Sequence, residues 1–274
     1  MRVPLKLFTL IMVALLAIGL AGAQPAASVA TSAVAPPPAA LRVVTLGEST
    51  NTGLGDPKGC GYRRKLAELM KTAAPGGTNL PVTFTGTLNG SAPNDCKIPY
   101  GHFGQTVQDL RANVLNWLDA DQPDVILIMV GINNSAGAGV GLNNWQYEVT
   151  QLLNTIGMWH YPNAHQQIFI ATIPYSVASW AQNEVTANEG ILNAINSFAG
   201  YPGASMIHPA RADYMPCVHL ADGIHPDGAG YDVIAYQFYA AMAPVFGLES
   251  LPLNSIHWAD QHRPGFERSA TACT

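Results

Sequence analysis

Charge is scarce in this chain. Only 11% of its 274 residues are Asp, Glu, Lys or Arg, and the formal net charge is −5. The 13 Lys and Arg residues form no cluster, which argues against nucleic acid or an anionic membrane as the main partner. Beyond the first residues no apolar run approaches the roughly 20 residues a spanning helix needs. Cysteines number four, and none has a partner at the close spacing of a metal-binding pair. There is no internal repeat. Asn, Gln, Ser, Thr and Gly are expected to cover the surface in place of charge.

What is present begins with a segment that reads as targeting. Arg2 and Lys6 precede or flank an apolar run from Leu7 to Leu20, and Ala21-Gly22-Ala23 supplies a small-residue cleavage site. This is the pattern of a secretory signal peptide over 1–23. The mature protein is then expected in an extracellular or periplasmic space, with no stable membrane anchor once the signal is cut. Residues 24–40 are rich in Ala, Pro and Ser and read as a linker. One domain with a sizeable core is expected over 41–246, followed by a polar tail over 247–274. An oxidising compartment suits Cys60, Cys96, Cys217 and Cys273 as disulfides. Four cysteines allow three pairings. Sequence does not choose among them; Cys60–Cys96 with Cys217–Cys273 is the favoured set. Asn89-Gly90-Ser91 matches a glycosylation acceptor. The protein is expected to be a monomer.

Inside the domain, strand-like and helix-like segments alternate. Strands are predicted at Leu41–Leu46, Pro81–Leu88, Asp124–Val130, Gln167–Ile173 and Ala204–Ile207. Within DVILIMV every residue after Asp124 is apolar, as in a strand buried on both faces. Between them, apolar residues recur at helical spacing: Tyr62, Leu66, Leu69 and Met70; Val107, Leu110, Val114 and Leu118; Trp145, Val149, Leu152 and Ile156; Ile191, Ile195 and Phe198; Ile234, Phe238 and Met242. Such alternation predicts an α/β fold, a central parallel sheet with helices on both faces. Ligands then bind beyond the carboxyl ends of the strands. Ser49, Asn133 and Pro174 each follow a predicted strand and should crowd that edge.

The residues that could carry chemistry fall in four ordered motifs: Gly47-Glu48-Ser49, Gly104-Gln105-Thr106, Gly131-Ile132-Asn133 and Asp222-Gly223-Ile224-His225. A serine hydroxyl is a poor nucleophile until a base takes its proton. Asp222 lies three positions before His225 in a turn-rich loop, where it could fold back onto the ring and fix its tautomer. The N–H of Ser49, the N–H of Gly104 and the amide of Asn133 would supply three oxyanion donors. The expected site is therefore Ser49, Asp222 and His225 as catalytic residues, with Ser49, Gly104 and Asn133 as oxyanion hole. Asn51 breaks the nucleophile-elbow pattern G-x-S-x-G of ordinary α/β-hydrolases. Tyr175 and Trp180 follow a strand, where a sugar could stack. Trp145 fits a core stripe. His208 and His219 have nothing in sequence to set them apart from structural histidines.

In order and spacing these motifs resemble the SGNH (GDSL-type) hydrolases. The stretches GYRRKL, GHFGQTV, PDVILIMVGINN and DGIHPDGAGY are similar to the acetyl xylan esterase-like carbohydrate esterases. The resemblance spans roughly Leu41 to Val245. It implies a flavodoxin-like three-layer α/β/α sandwich and an acyl-enzyme on Ser49, with no metal or organic cofactor. The implied substrate is a small acyl ester, acetyl in the first place, on polysaccharide such as xylan. The alternatives are a lipid-directed esterase or lysophospholipase of the same superfamily, and a non-catalytic carbohydrate-binding relative. The chain departs from the family's pattern twice, with Glu48 where Asp precedes the serine and Asn134 where Asp follows the asparagine. The two changes are expected to compensate each other, since both motifs end neighbouring strands.

Overall fold

The computed structural model describes residues 40–72, 80–86, 103–137, 144–160, 166–198 and 206–250. The segments read as signal peptide and linker, the Asn89-Gly90-Ser91 acceptor, Cys96, Cys273 and most of the tail lie outside these residues. Cys60 and Cys217 are both disulfide-bonded; the partners favoured for them are among the residues not described.

The elements run β1 (Leu41–Gly47), α1 (Ser49–Thr52), α2 (Tyr62–Thr72), β2 (Val82–Thr85), α3 (Val107–Asp121), β3 (Val125–Met129), α4 (Ile132–Ser135), α5 (Trp145–His160), β4 (Gln167–Ala171), α6 (Ala181–Ser197), β5 (Ile207–Ala210) and α7 (Gly228–Phe246). The five strands form one sheet in the order β2-β1-β3-β4-β5, every pair parallel. Each residue of β3 is buried, as its unbroken apolar run predicts. Its side chains alternate between two cores. Val125, Leu127 and Met129 meet Tyr62, Leu66 and Met70 of α2 and Ile234, Phe238 and Met242 of α7. Ile126 and Ile128 meet residues of α3, α5 and α6, among them Leu110, Leu152 and Ile191. This is the expected three-layer sandwich with the flavodoxin-like strand order.

The connections reverse direction once. From β1 the chain moves outward to β2, then returns across β1 to β3. The crevice at that reversal lies between the carboxyl ends of β1 and β3, the general ligand position in such sheets. The motifs of Ser49 and Asn133 follow those two strands.

Each strand differs from the sequence expectation at one end or both, β2 for instance ending at Thr85 rather than Leu88, and two of the differences have a local physical cause. The last strand is Ile207–Ala210, sharing only Ile207 with the predicted segment. It pairs with β4 alone at the sheet edge. An edge tolerates Pro209, whose missing N–H weakens a central strand, and its partial exposure hides the apolar signature. β4 stops at Ala171 rather than Ile173. The N–H and C=O of Ile173 are taken by the Asn188 side chain, at 2.7 and 2.9 Å, and so leave the ladder.

Candidate active site

The turn after β1 is set by a close approach. A Cβ on Gly47 would lie 2.2 Å from the carbonyl oxygen of Met129, so only glycine lets β1 and β3 end side by side here. Ser49 then opens α1 and is 6% exposed. The chain beyond it is held from below. The Tyr62 hydroxyl donates to Asn51 Oδ1 at 2.5 Å, and the Arg63 guanidinium donates to the carbonyls of Asn51 and Thr52. Asp56 accepts from the N–H groups of Cys60 and Gly61, each at 2.9 Å. The Tyr231 hydroxyl of α7 donates to the Leu54 carbonyl at 2.7 Å.

Arg63 is fully buried. Desolvation pulls its guanidinium below the usual value, against the favourable charge of Asp56. Without Arg63 the buried Asn51 carbonyl would lose its donor, at about 1–3 kcal/mol, and the half-buried Thr52 carbonyl would lose one too. Its role was not assigned from sequence, yet a signal was present. Arg63 lies three positions before Leu66 and seven before Met70, on the buried stripe of α2 where a charge must have a partner.

The loop before α7 folds on itself. The Ala221 N–H reaches the His225 carbonyl at 2.8 Å, and the Asp227 N–H reaches that of His219 at 2.9 Å. Gly223 turns the chain at a φ of +87°. The result brings three expected residues into line. His225 Nε2 lies 2.9 Å from Ser49 Oγ, and His225 Nδ1 lies 2.8 Å from Asp222 Oδ2. Asp222 Oδ1 accepts from the N–H groups of Ile224 and His225 at 3.0 and 2.7 Å. Burial opposes the Asp222 charge, but these bonds and the His225 ring outweigh it and hold the carboxyl below its usual value. The loop after β4 braces this arrangement, with the Val177 N–H on the Gly223 carbonyl at 2.8 Å. Glu184 of α6 anchors that same loop through the N–H and hydroxyl of Ser176, at 2.8 and 2.7 Å.

Glu48 is also fully buried. Its Oε1 accepts from Gly131 N–H at 3.1 Å and Ile132 N–H at 2.7 Å. Its Oε2 accepts from Asn133 N–H at 3.2 Å and from Asn133 Nδ2 at 2.6 Å. The second hydrogen of that amide goes to the Gln105 carbonyl at 2.9 Å. Asn134 faces elsewhere. It accepts from Val107 N–H at 3.0 Å and donates to Gln108 Oε1 at 2.9 Å, tying α4 to the start of α3. Thr106 caps α3 with a reciprocal Asp109 bond. Glu48 and Asn134 thus serve different neighbours. The structure gives the two departures separate partners rather than a shared one, because Asn134 is drawn to the α3 terminus. Gly104, just ahead of Gln105, is exposed at a φ of +83° with open space around its Cα.

Burial pushes the Glu48 carboxyl from 4.5 up to about 7, against the pull of the Ile132, Asn133 and Gly131 N–H groups and the Asn133 amide. A carboxyl raised in the folded state binds its proton more tightly there than in the unfolded chain. Its stabilisation is full below the unfolded value and lost as pH rises through the folded one. The displacement corresponds to about 3 kcal/mol. Urea unfolding at pH 4.5 and pH 8 should therefore show a pH-dependent loss in the native sequence that shrinks by about that amount in Glu48→Gln. Equal losses in the two proteins would rule out this linkage.

The remaining expectations divide. Trp145 is buried beneath Gly131, as its helix stripe predicts. Tyr175 is buried too and offers no open face for a sugar. Trp180 is half-buried where α6 begins. His208 lies on β5, stacked on Phe169 and bonded to Gln167 at the amino end of β4, away from the Ser49 edge. His219 Nδ1 sits 3.7 Å from Asp227 Oδ2 within the loop before α7.

No family model matches the chain, and no curated protein matches it by sequence. Solved structures do match by shape. A family 3 carbohydrate esterase from Clostridium thermocellum superposes with a TM-score of 0.62 at 22% identity, covering 76% of this chain and 98% of that one. The fold is that of carbohydrate esterases. A second family 3 esterase, from Talaromyces cellulolyticus, gives 0.58 at 20% identity over 76% of this chain and 98% of its own. An acetyl xylan esterase from Geobacillus stearothermophilus gives 0.54 at 18% identity over 77% and 97%.

Proposed function

We propose that this protein is a secreted serine esterase that removes small acyl groups, acetyl in the first place, from polysaccharide such as xylan. The relay from Asp222 through His225 to Ser49 carries this reading. An ionised carboxylate only accepts, so Asp222 fixes the proton of the neutral ring on Nδ1 and leaves Nε2 free to accept from Ser49. Ser49 Oγ attacks the ester carbonyl as His225 takes its proton. The oxyanion meets the N–H groups of Ser49 and Gly104 and the amide of Asn133. His225 then protonates the departing alcohol, and water activated by the same ring releases the acid.

The structural neighbours support the substrate class. One is an acetyl esterase with a serine replaced by alanine and an acetate ion present. Two forms of the Geobacillus enzyme are described as catalytic mutants, at an aspartate and at a histidine three positions further on. Asp222 and His225 have the same separation. Secretion rests on the 1–23 segment and on cysteines suited to an oxidising compartment.

Hydrolysis of p-nitrophenyl acetate, butyrate and octanoate, followed by acetate release from acetylated xylan, tests the reading. Falling kcat/KM with chain length and release of acetate are expected. Octanoate preference would point to the lipid-directed alternative, and binding of xylan without turnover to the non-catalytic one.

A further inference from the structure

The bonds around Asn133 point to a control that the hydrolytic reading does not contain. Both hydrogens of the Asn133 amide are committed, one to Glu48 Oε2 and one to the Gln105 carbonyl. The Gln105 carbonyl can only accept, which fixes the nitrogen side of the amide. An oxyanion needs one of those hydrogens. The Glu48 bond, at 2.6 Å against 2.9 Å, is the shorter of the two, and it is charge-assisted whenever the buried carboxyl is ionised.

Side-chain length makes this bond possible. The Glu48 carboxylate already meets the N–H groups of Gly131 and Ile132 through Oε1. An Asp at this position is shorter by one carbon–carbon bond, about 1.5 Å. The contact to the Asn133 amide would open to roughly 4 Å, beyond hydrogen-bond reach.

We propose, resting on the reading of this site as a hydrolase, that Glu48 is a positioning residue that latches the Asn133 amide, so that the resting site offers the oxyanion two donors instead of three. Substrate must draw the amide off Glu48 to complete the hole. The native enzyme is thereby slower than its triad geometry allows, and shortening residue 48 releases the third donor.

Glu48→Asp tests this in the mature protein on p-nitrophenyl acetate. One oxyanion donor is worth about 100-fold in rate. The variant is expected to raise kcat by about tenfold or more with KM unchanged, because the released donor acts in the transition state alone. Asn133→Ala should cost at least about tenfold more in the Glu48→Asp background than in the native one. An independent readout is hydrogen exchange of the Asn133 side-chain amide in protein labelled with 15N-asparagine, the signal assigned by its loss in Asn133→Ala. Slow exchange in the native protein and faster exchange in Glu48→Asp are expected. Exchange equally fast in both, or an Asn133→Ala penalty equal in both backgrounds, overturns the latch. If no variant shows Ser49-dependent turnover, the hydrolase reading fails by itself, and the exchange rates still decide whether Glu48 holds the amide.

Discussion

Replacing Ser49 by Ala, or His225 by Ala, is expected to lower kcat on p-nitrophenyl acetate by ~10⁴- to 10⁶-fold, with the double variant little worse than either single one. The reason is that in the proposed mechanism the two side chains act as a unit. Ser49 Oγ and His225 Nε2 are 2.9 Å apart, within reach of direct proton transfer. A hydroxyl without its base does not ionise at neutral pH, and a base without the hydroxyl has no proton to take. The proposed oxyanion donors remain in either variant, so a residual rate above that in water should persist. Kinetics of the two single variants and the double variant, each checked for native folding, measure this. Additive losses would mean that the groups work independently.

Asp222→Asn is expected to cost ~10⁴-fold in kcat, and more than Asp222→Ala. The two backbone N–H groups on Asp222 Oδ1, from Ile224 and His225, decide which way an amide would sit. They would hold the Asn oxygen, leaving its NH₂ against His225 Nδ1. A donor there forces the ring proton onto Nε2, the atom that must accept from Ser49. Ala imposes no such tautomer. The Asp222 side chain is 52% exposed, so water can take its place beside the ring. A pH profile of kcat for the three proteins checks this. An Asn variant more active than Ala would show that Asp222 does not set the tautomer.

Much of the architecture was legible because burial imposes strong patterns. The continuous run over Val125–Met129 could only be an inner strand, and the helical stripes of α2, α3 and α7 were continuous enough to place. The site was legible through topology: residues just past β1 and β3 meet wherever a parallel sheet reverses direction. Asp222 and His225 could be paired because three positions in a turn suffice to bring a carboxylate onto a ring. The edge strand at Ile207–Ala210 was misplaced because an edge carries little burial signature and Pro209 masks it. The destination of the Glu48 carboxylate was not legible either. One methylene decides between backbone donors alone and the Asn133 amide as well, and that distance exists only once β1 and β3 are side by side.

The most direct measurement is intact-protein and peptide mass spectrometry after exposure to a serine-directed phosphonate. The account predicts one phosphonyl adduct, on the peptide carrying Ser49, formed in the native protein and lost in Ser49→Ala and His225→Ala. A folded protein that acquires no adduct, or one that carries it on another residue, would contradict it.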